Sequence, residues 1–216
     1  MNAGGRLKLW IALVAAISIA IVGTIAARLL SAPPGTPPDY SGPRPIAAAD
    51  GYVTHSEQIV VDLPLRQYYE WANAQPLEAG LQEQAGIPSV VRTGILQGNW
   101  NDVGARRRVE LSDGHYAVEE VIAKEDPVLF RYQVWGYTNF ARFATDHAIG
   151  EFRFAEAEGK TQVTWTYSFH ARSRVASGFL ANFVRNDWAA YMRQYLEYAK
   201  RASEADARER LDAAIQ

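Results

Sequence analysis

The chain has no cysteine among its 216 residues, and this absence excludes several kinds of chemistry. Disulfide bonds, thiolate nucleophiles and cysteine-ligated metal sites all require that side chain. The motifs HExxH, GxSxG, GxxxxGK and GxGxxG are absent as well. The sequence therefore lacks the fingerprints of zinc proteases, of α/β-hydrolases, of P-loop proteins and of dinucleotide-binding enzymes.

Histidine is also scarce, and its spacing does not indicate a metal site. The four histidines are His55, His115, His147 and His170. None of them is separated from another by the short intervals typical of metal ligands on one helix or loop. The sequence predicts no metal site and no cofactor.

An excess of basic residues is missing too. The chain has 22 Lys and Arg against 24 Asp and Glu, and Arg6, Lys8 and Arg28 all precede the main body of the chain. The remainder is net negative, which does not favour nucleic acid as a partner. The one basic triplet, residues 106–108, lies in a predicted strand, where alternation divides its side chains between two faces.

A long apolar run is present near the start, from Leu9 to Ala27, without a single charge. As a helix with ~1.5 Å rise per residue it would be ~28 Å long, close to the thickness of a bilayer's hydrocarbon core. We predict a transmembrane anchor over residues 9–30. Arg6 and Lys8 precede the run, so a short cytoplasmic end (residues 1–8) and an extracytoplasmic main domain are expected, periplasmic in a double-membraned bacterium. A cleaved secretory signal is the alternative, and it also places the main domain outside.

Proline is concentrated in the segment that follows the apolar run. Six of the chain's 10 prolines lie between Ser31 and Pro45. Proline fixes φ and lacks an amide donor, so this composition predicts an extended, semi-rigid linker over residues 31–50. A globular domain over residues 51–202 and a charged helical tail over residues 203–216 complete the predicted organisation.

The globular segment reads mainly as strands. The pattern predicts a strand over Tyr52–Asp62, a short helix after Pro64 and a second over Leu77–Gln84. A long amphipathic helix is predicted from Ser177. Between these elements, turn signals separate six extended runs, at 90–97, 106–111, 116–124, 129–137, 148–155 and 162–171. This order indicates an α+β fold with an antiparallel sheet.

Strand alternation indicates which side chains are buried. In the last strand the aromatic side chains all fall on one face, and the intervening threonine, serine and histidine side chains fall on the other. The final helix has a matching apolar stripe. The side chains predicted to line the interior are Phe130, Tyr132, Val134, Phe152, Phe154, Trp165, Tyr167, Phe169, Leu180, Val184 and Tyr191.

Three stretches carry a resemblance to a known superfamily. They are IVVDLPLRQYYEWAN, GARRRVELSDGHYAVEEVIAKEDPVLFRYQV and GKTQVTWTYSFHARS, the last of which precedes the final helix. With the order of elements, they resemble the helix-grip fold of the START and polyketide cyclase/dehydrase superfamily, also called SRPBCC. The resemblance implies a curved antiparallel sheet of about seven strands wrapped on a long C-terminal helix, with a hydrophobic cavity between them. Members range from lipid carriers to cyclases, so the fold leaves the activity open.

Charged side chains are expected at the cavity as well. Alternation sends one of Glu119 and Glu120 inward, and Arg107 is expected on the buried face of its strand. We place Arg107 and Glu120 in the cavity. They could form an ion pair, contact a ligand or supply a general base, or they could lie solvated at the rim. No catalytic residue is assigned. In the connection 139–147, Arg142, Asp146 and His147 could meet an anionic headgroup or belong to a solvated loop.

These observations predict a single-pass, membrane-anchored protein that binds a lipid or another hydrophobic small molecule in the helix-grip cavity. The anchor would hold the domain beside a bilayer, and a lipidic ligand would partition into that bilayer. A non-enzymatic function is favoured. Two alternatives stay open: a polyketide cyclase/dehydratase-like enzyme that uses an inner carboxylate, and an interaction module with a closed core whose charged tail contacts a partner.

Overall fold

The computed structural model describes residues 32–215. The predicted anchor, residues 9–30, lies outside this range. None of the helices in the described range is long and apolar enough to cross a membrane.

The described residues form one sheet and a set of helices. The strands are β1 (Tyr52–Val61), β2 (Val90–Gln97), β3 (Arg106–Leu111), β4 (Tyr116–Glu125), β5 (Leu129–Trp135), β6 (Thr145–Ala157) and β7 (Lys160–Ala171). The α-helices are α1 (Leu65–Ala74), α2 (Ala141–Ala144), α3 (Arg174–Phe183) and α4 (Ala189–Ile215), and a π-helical turn (Val184–Trp188) joins α3 to α4.

The sheet has seven strands in the order β1-β7-β6-β5-β4-β3-β2, and all the pairings are antiparallel. Strands β2 to β7 follow one another as a meander, and β1 joins by pairing with β7. Helices α1 and α4 contact the β1, β6 and β7 side of the sheet. This arrangement confirms the predicted α+β class and the helix-grip architecture. We call the helix-covered face the inner face of the sheet and the opposite face the outer face.

Two predicted helix boundaries were wrong. The segment predicted as a helix over Leu77–Gln84 forms only a short 3₁₀ turn that ends at Ala79. Gly80 follows it and lies so close to the rings of Tyr195 and Tyr198 on α4 that no Cβ would fit there. The backbone therefore passes directly over α4 at Gly80 and does not continue as a helix.

The final helix begins three residues before the predicted start, at Arg174. The hydroxyl oxygen of Ser173 accepts a hydrogen bond from the backbone N–H of Ala176 at 3.1 Å, which is the standard N-cap interaction. The helix then continues to Ile215. Its last part is not fully detached, because Ser203 is completely buried and Ala207 packs against the core.

Part of the predicted linker is bound to the sheet. Residues 40–45, which we call the arm, lie against the outer face. The guanidinium of Arg106 donates to the carbonyl oxygens of Tyr40 and Gly42, at 2.7 and 2.8 Å. The hydroxyl of Tyr40 donates to the carbonyl oxygen of Gly136 at 3.0 Å. The arm is thus held by both its backbone and its side chains.

Candidate functional site

The strand register gathers the predicted aromatic residues into rows on the inner face. One row consists of Phe130, Phe152 and Trp165. The next consists of Tyr132, Gly150 and Tyr167, and the third of Val134, Ala148 and Phe169. Apart from Gly150, these residues are in or against the hydrophobic core, and so is Phe154. The alternation in the sequence predicted this face, and it is clearest in β7, where one side is polar and the other apolar.

Glycine at position 150 makes room for a ring in the middle row. A Cβ built on Gly150 would overlap the ring of Tyr132 on the neighbouring strand. The ring therefore lies directly on the backbone of β6. Its centroid is 6.4 Å from that of Tyr167, which lies beyond Gly150 in the same row.

The C-terminal helix supplies the opposite wall. Leu180 of α3, Val184 of the π-helical turn and Tyr191 of α4 are buried there, as the apolar stripe predicted. Trp188 lies between them, with its ring centroid 4.6 Å from that of Tyr167 and 5.1 Å from that of Tyr191. The interior between sheet and helix is therefore built largely of aromatic rings in mutual contact.

A charged pair lies on the same inner face. Arg107 of β3 is directly opposite Glu119 of β4, and the guanidinium lies 2.7 Å from the carboxylate. The guanidinium also lies 3.6 Å from the centroid of the Trp100 ring, in a cation–π contact. About a tenth of each charged side chain is exposed, 12% for Arg107 and 10% for Glu119. Mutual pairing compensates part of the cost of burying both charges.

Glu120, which the sequence analysis places in the cavity, lies on the outer face. Its carboxylate pairs with Arg106 at 2.7 Å and with Arg44 of the arm at 2.9 Å. The inward carboxylate is Glu119. Alternation alone could not decide between them, because β4 carries apolar residues on both of its faces. The turn at 113–114 held the missing information, since counting outward from it places Glu119 opposite Arg107.

Tyrosine hydroxyls surround the interior and remain protonated. Burial raises the pKa of Tyr132 and of Tyr167 well above the usual value, and the nearby Glu119 carboxylate raises both further. Burial also raises the pKa of Tyr195 to about 12. A protonated phenol can donate a hydrogen bond, so these side chains are available as neutral donors at any physiological pH.

Two polar groups of the interior have no partner. The indole N–H groups of Trp165 and Trp188 are buried and make no hydrogen bond with any residue that the structure describes. An unpaired buried donor costs roughly 1–3 kcal/mol. A hydrogen-bond acceptor from a bound molecule would remove that cost. Nothing in the sequence distinguishes Trp188 from the other apolar residues at helical spacing in this segment.

Most of the folded part of the chain matches one known protein family. Residues 56–204 match the family described as polyketide cyclase / dehydrase and lipid transport. The chain belongs to this family. No curated protein sequence is significantly similar to the chain.

Solved structures share the fold at low sequence identity. Ara h 8.0201 superimposes with a TM-score of 0.53 at 14% identity, covering 72% of this chain and 99% of its own. TTHA0849 from Thermus thermophilus gives 0.54 at 15% identity, with 71% and 99% covered. A norcoclaurine synthase point mutant from Thalictrum, in complex with a transition-state analogue, gives 0.54 at 10% identity, with 72% and 96% covered. At these identities the likeness establishes the fold alone.

Proposed function

We propose that this protein binds a lipid or another hydrophobic small molecule between the inner face of the sheet and the helix formed by α3, the π-helical turn and α4. The observation that carries the proposal is an aromatic interior that also holds polar groups. These are the Arg107–Glu119 pair, the protonated tyrosines and the unpaired N–H groups of Trp165 and Trp188. A core that serves only for packing is not stabilised by a buried charged pair or by an unpaired hydrogen-bond donor.

The polar groups also indicate what kind of ligand fits. Its body would be apolar or aromatic, because it must lie among the rings of Phe152, Trp165 and Tyr167. One part of it would be a hydrogen-bond acceptor, such as a carbonyl or ether oxygen, to which Trp188 can donate. The family's own description includes lipid transport, and the norcoclaurine synthase point mutant of similar fold is in complex with a transition-state analogue.

Ring contacts imply that the ligand enters by displacing side chains. Trp188 touches rings of both the sheet and the helix, and it ends the π-helical turn. A π-turn is frequently found at functional sites, where the extra residue leaves the helix less regularly bonded. We propose that Trp188 swings with this turn to open the interior.

The proposal includes the location of the domain. Residues 9–30 would anchor the chain in a membrane, with the helix-grip domain on the extracytoplasmic side, periplasmic in a double-membraned bacterium. The support is the uncharged run Leu9–Ala27 and the basic residues before it. Alkaline carbonate extraction of membranes tests the anchor: the full chain should stay in the pellet. Protease added to intact spheroplasts should then degrade the domain, and protection of the domain would contradict the orientation.

Ligand binding is tested on the full-length protein, exchanged from detergent into amphipol and extracted with organic solvent for mass spectrometry. The wild type should release one class of hydrophobic molecule in near-stoichiometric amount. Tyr167→Trp, which fills the interior, and Trp188→Phe, which removes the donor, should release much less. Trp71→Phe on α1 is the matched control and should release the wild-type amount. Equal recovery from all four proteins would mean that the extracted material is background, and the proposal would fail.

An enzymatic function is the second candidate, and the position of Glu119 favours it. A carboxylate on the inner face, fixed by Arg107 and surrounded by tyrosine hydroxyls, is suitably placed to accept a proton from a bound substrate. The same extraction separates the two functions. If Glu119→Gln accumulates a molecule of different mass from the wild type, turnover occurs. Identical molecules in both proteins would indicate binding alone.

A further inference from the structure

Three potential metal ligands meet on the outer face of the sheet, away from the aromatic interior. They are Asp146 and His147 of β6 and His170 of β7. Their ligand atoms all lie within 4.8 Å of one another. Asp146 Oδ1 is 2.8 Å from Nδ1 of His147 and 2.8 Å from Nδ1 of His170. The two imidazole rings are nearly parallel, with centroids 4.9 Å apart.

A β-bulge brings these side chains together. In the pairing of β6 with β7, Thr145 is opposite Ala171 but His147 is opposite His170, so Asp146 is an extra residue on β6. Regular alternation would send Asp146 and His147 to opposite faces. The bulge interrupts that alternation and re-aims a side chain, which allows two neighbours in sequence to approach the same partner.

The second nitrogen of each ring lies against the protein, and that of His147 has a hydrogen-bond partner. Nε2 of His147 lies 2.7 Å from the hydroxyl of Tyr52 on β1. Nε2 of His170 faces the backbone of Gly51, where a Cβ would lie only 3.1 Å away. Both rings are therefore oriented with Nδ1 toward the carboxylate. Orientation of a ligating histidine through its other nitrogen is the usual arrangement around protein-bound metals.

His147 gives the independent indication of a missing ligand. The residue is only 2% exposed. Its Nδ1 makes no hydrogen bond within the described part of the chain, although Asp146 Oδ1 is 2.8 Å away, because the geometry is unsuitable. A buried imidazole nitrogen without a partner is costly, and a bound cation would use its lone pair.

We propose that Asp146, His147 and His170 bind one divalent transition-metal ion of the Zn²⁺ class. Two imidazole nitrogens and one carboxylate oxygen form a donor set that zinc uses, at bond lengths of ~2.0–2.2 Å. Such bonds in a tetrahedral site separate ligand atoms by roughly 3.4 Å, so the carboxylate would move outward by about half an ångström. Asp146 is free to do so, since 40% of its side chain is exposed. A water molecule would complete the tetrahedron.

The site is independent of the ligand proposed for the interior. Phe169, which precedes His170, points to the inner face, so the metal site and the aromatic interior lie on opposite sides of the sheet. A failure of one proposal therefore leaves the other standing.

Metal binding is tested on the full-length protein with its affinity tag removed, after EDTA treatment and dialysis in detergent. Zn²⁺ is titrated calorimetrically, and the retained metal is measured by mass spectrometry. We expect one Zn²⁺ per chain in the wild type. Asp146→Asn and His170→Gln should each weaken binding at least tenfold, the loss that even an outer-shell change can cause. His55→Gln, a histidine paired with Glu57 elsewhere on the sheet, should bind as the wild type does.

Circular dichroism of each variant separates a lost site from a lost fold. Asp146→Asn keeps the shape of a partly exposed side chain, so it tests the site without repacking the sheet. Co²⁺ titration adds a spectroscopic readout, because tetrahedral coordination gives intense visible absorption that both variants should lack. Absence of Zn²⁺ binding by the wild type, or equal affinity in all the variants, would overturn the proposal and leave an Asp–His hydrogen-bonded cluster.

Discussion

The carboxylate of Glu119 lies 2.7 Å from the guanidinium of Arg107, on the face of the sheet that packs against the helices. Both side chains are almost buried, so each neutralises a charge that would otherwise be left in an aromatic environment. Removal of either one should lower the free energy of unfolding by about 3 kcal/mol. Urea unfolding of Arg107→Met and Glu119→Met, followed by tryptophan fluorescence, measures this loss.

The double variant Arg107→Met/Glu119→Met provides the control for that pair. It removes both charges and should recover most of the lost stability, because no unpaired charge remains. Arg66→Met, which breaks the well-exposed Arg66–Glu70 pair, should have no measurable effect. A double variant as unstable as the sum of its single variants would show that the two residues do not act as a pair.

Gly150 should tolerate no side chain. Gly150→Ala places a methyl group where the ring of Tyr132 lies, and the resulting overpacking should lower the free energy of unfolding by about 2 kcal/mol. Gly178 is the matched control, since it lies in α3 with no atom near the position of a Cβ. Gly178→Ala should raise stability by about 1 kcal/mol. Thermal unfolding measures both variants, and a shift of their melting temperatures in the same direction would contradict the prediction.

Acid should weaken the domain partly through Glu110. Hydrogen bonds from Arg92 and Arg108 hold the pKa of Glu110 below its ordinary value of 4.5. The unfolded chain therefore takes up this proton at higher pH than the folded one, and the stabilisation by Glu110 is lost as the pH falls below about 4.5. The stability difference between wild type and Glu110→Gln should be largest at neutral pH and should shrink as the pH falls below about 4.5. Urea midpoints across the pH range measure it, and the exposed Glu209→Gln should show no such trend.

The arm should detach when its main anchor is removed. Arg106 donates to two carbonyl oxygens of the arm, so Arg106→Met should release residues 40–45 from the outer face. Because the chain has no cysteine, a single Gly42→Cys accepts a spin label without background. The electron paramagnetic resonance spectrum of this label should sharpen in Arg106→Met. The spectrum should not change in Arg131→Met, which breaks an ion pair elsewhere. If the label is equally mobile with Arg106 present and with Arg106 replaced, the arm is not held by Arg106.

Much of the fold was predictable because turns and alternation are local signals. Strands β2 and β3 match their predicted bounds, since Gly98 and the turn at 113–114 end them clearly. The early end of the 3₁₀ turn before Gly80 was not predictable, because it depends on two tyrosines of α4 more than a hundred residues away. The docking of the arm was not predictable for the same reason, because it depends on contacts with residues of the sheet that are distant in sequence.

The candidate sites show a similar division. The aromatic face followed from a period of two, but the choice between Glu119 and Glu120 required the hairpin register. His147 and His170 have no meaningful spacing in the sequence. They meet because antiparallel pairing places them opposite each other and a bulge adds Asp146. A bulge leaves no dependable trace in a single sequence, so this cluster was accessible only from the structure.

The π-helical turn at Val184–Trp188 has a consequence for how the C-terminal helix can vary. Relative to a regular α-helix it contains one additional residue, which rotates everything that follows by about 100° around the helix axis. That rotation directs Met192 and Leu196 of α4 at the sheet while Leu180 of α3 faces it as well. Removing one residue within this turn would point the α4 side chains sideways, whereas substitutions there would keep their direction. The number of residues in this segment, as well as their chemical type, therefore specifies the aromatic interior.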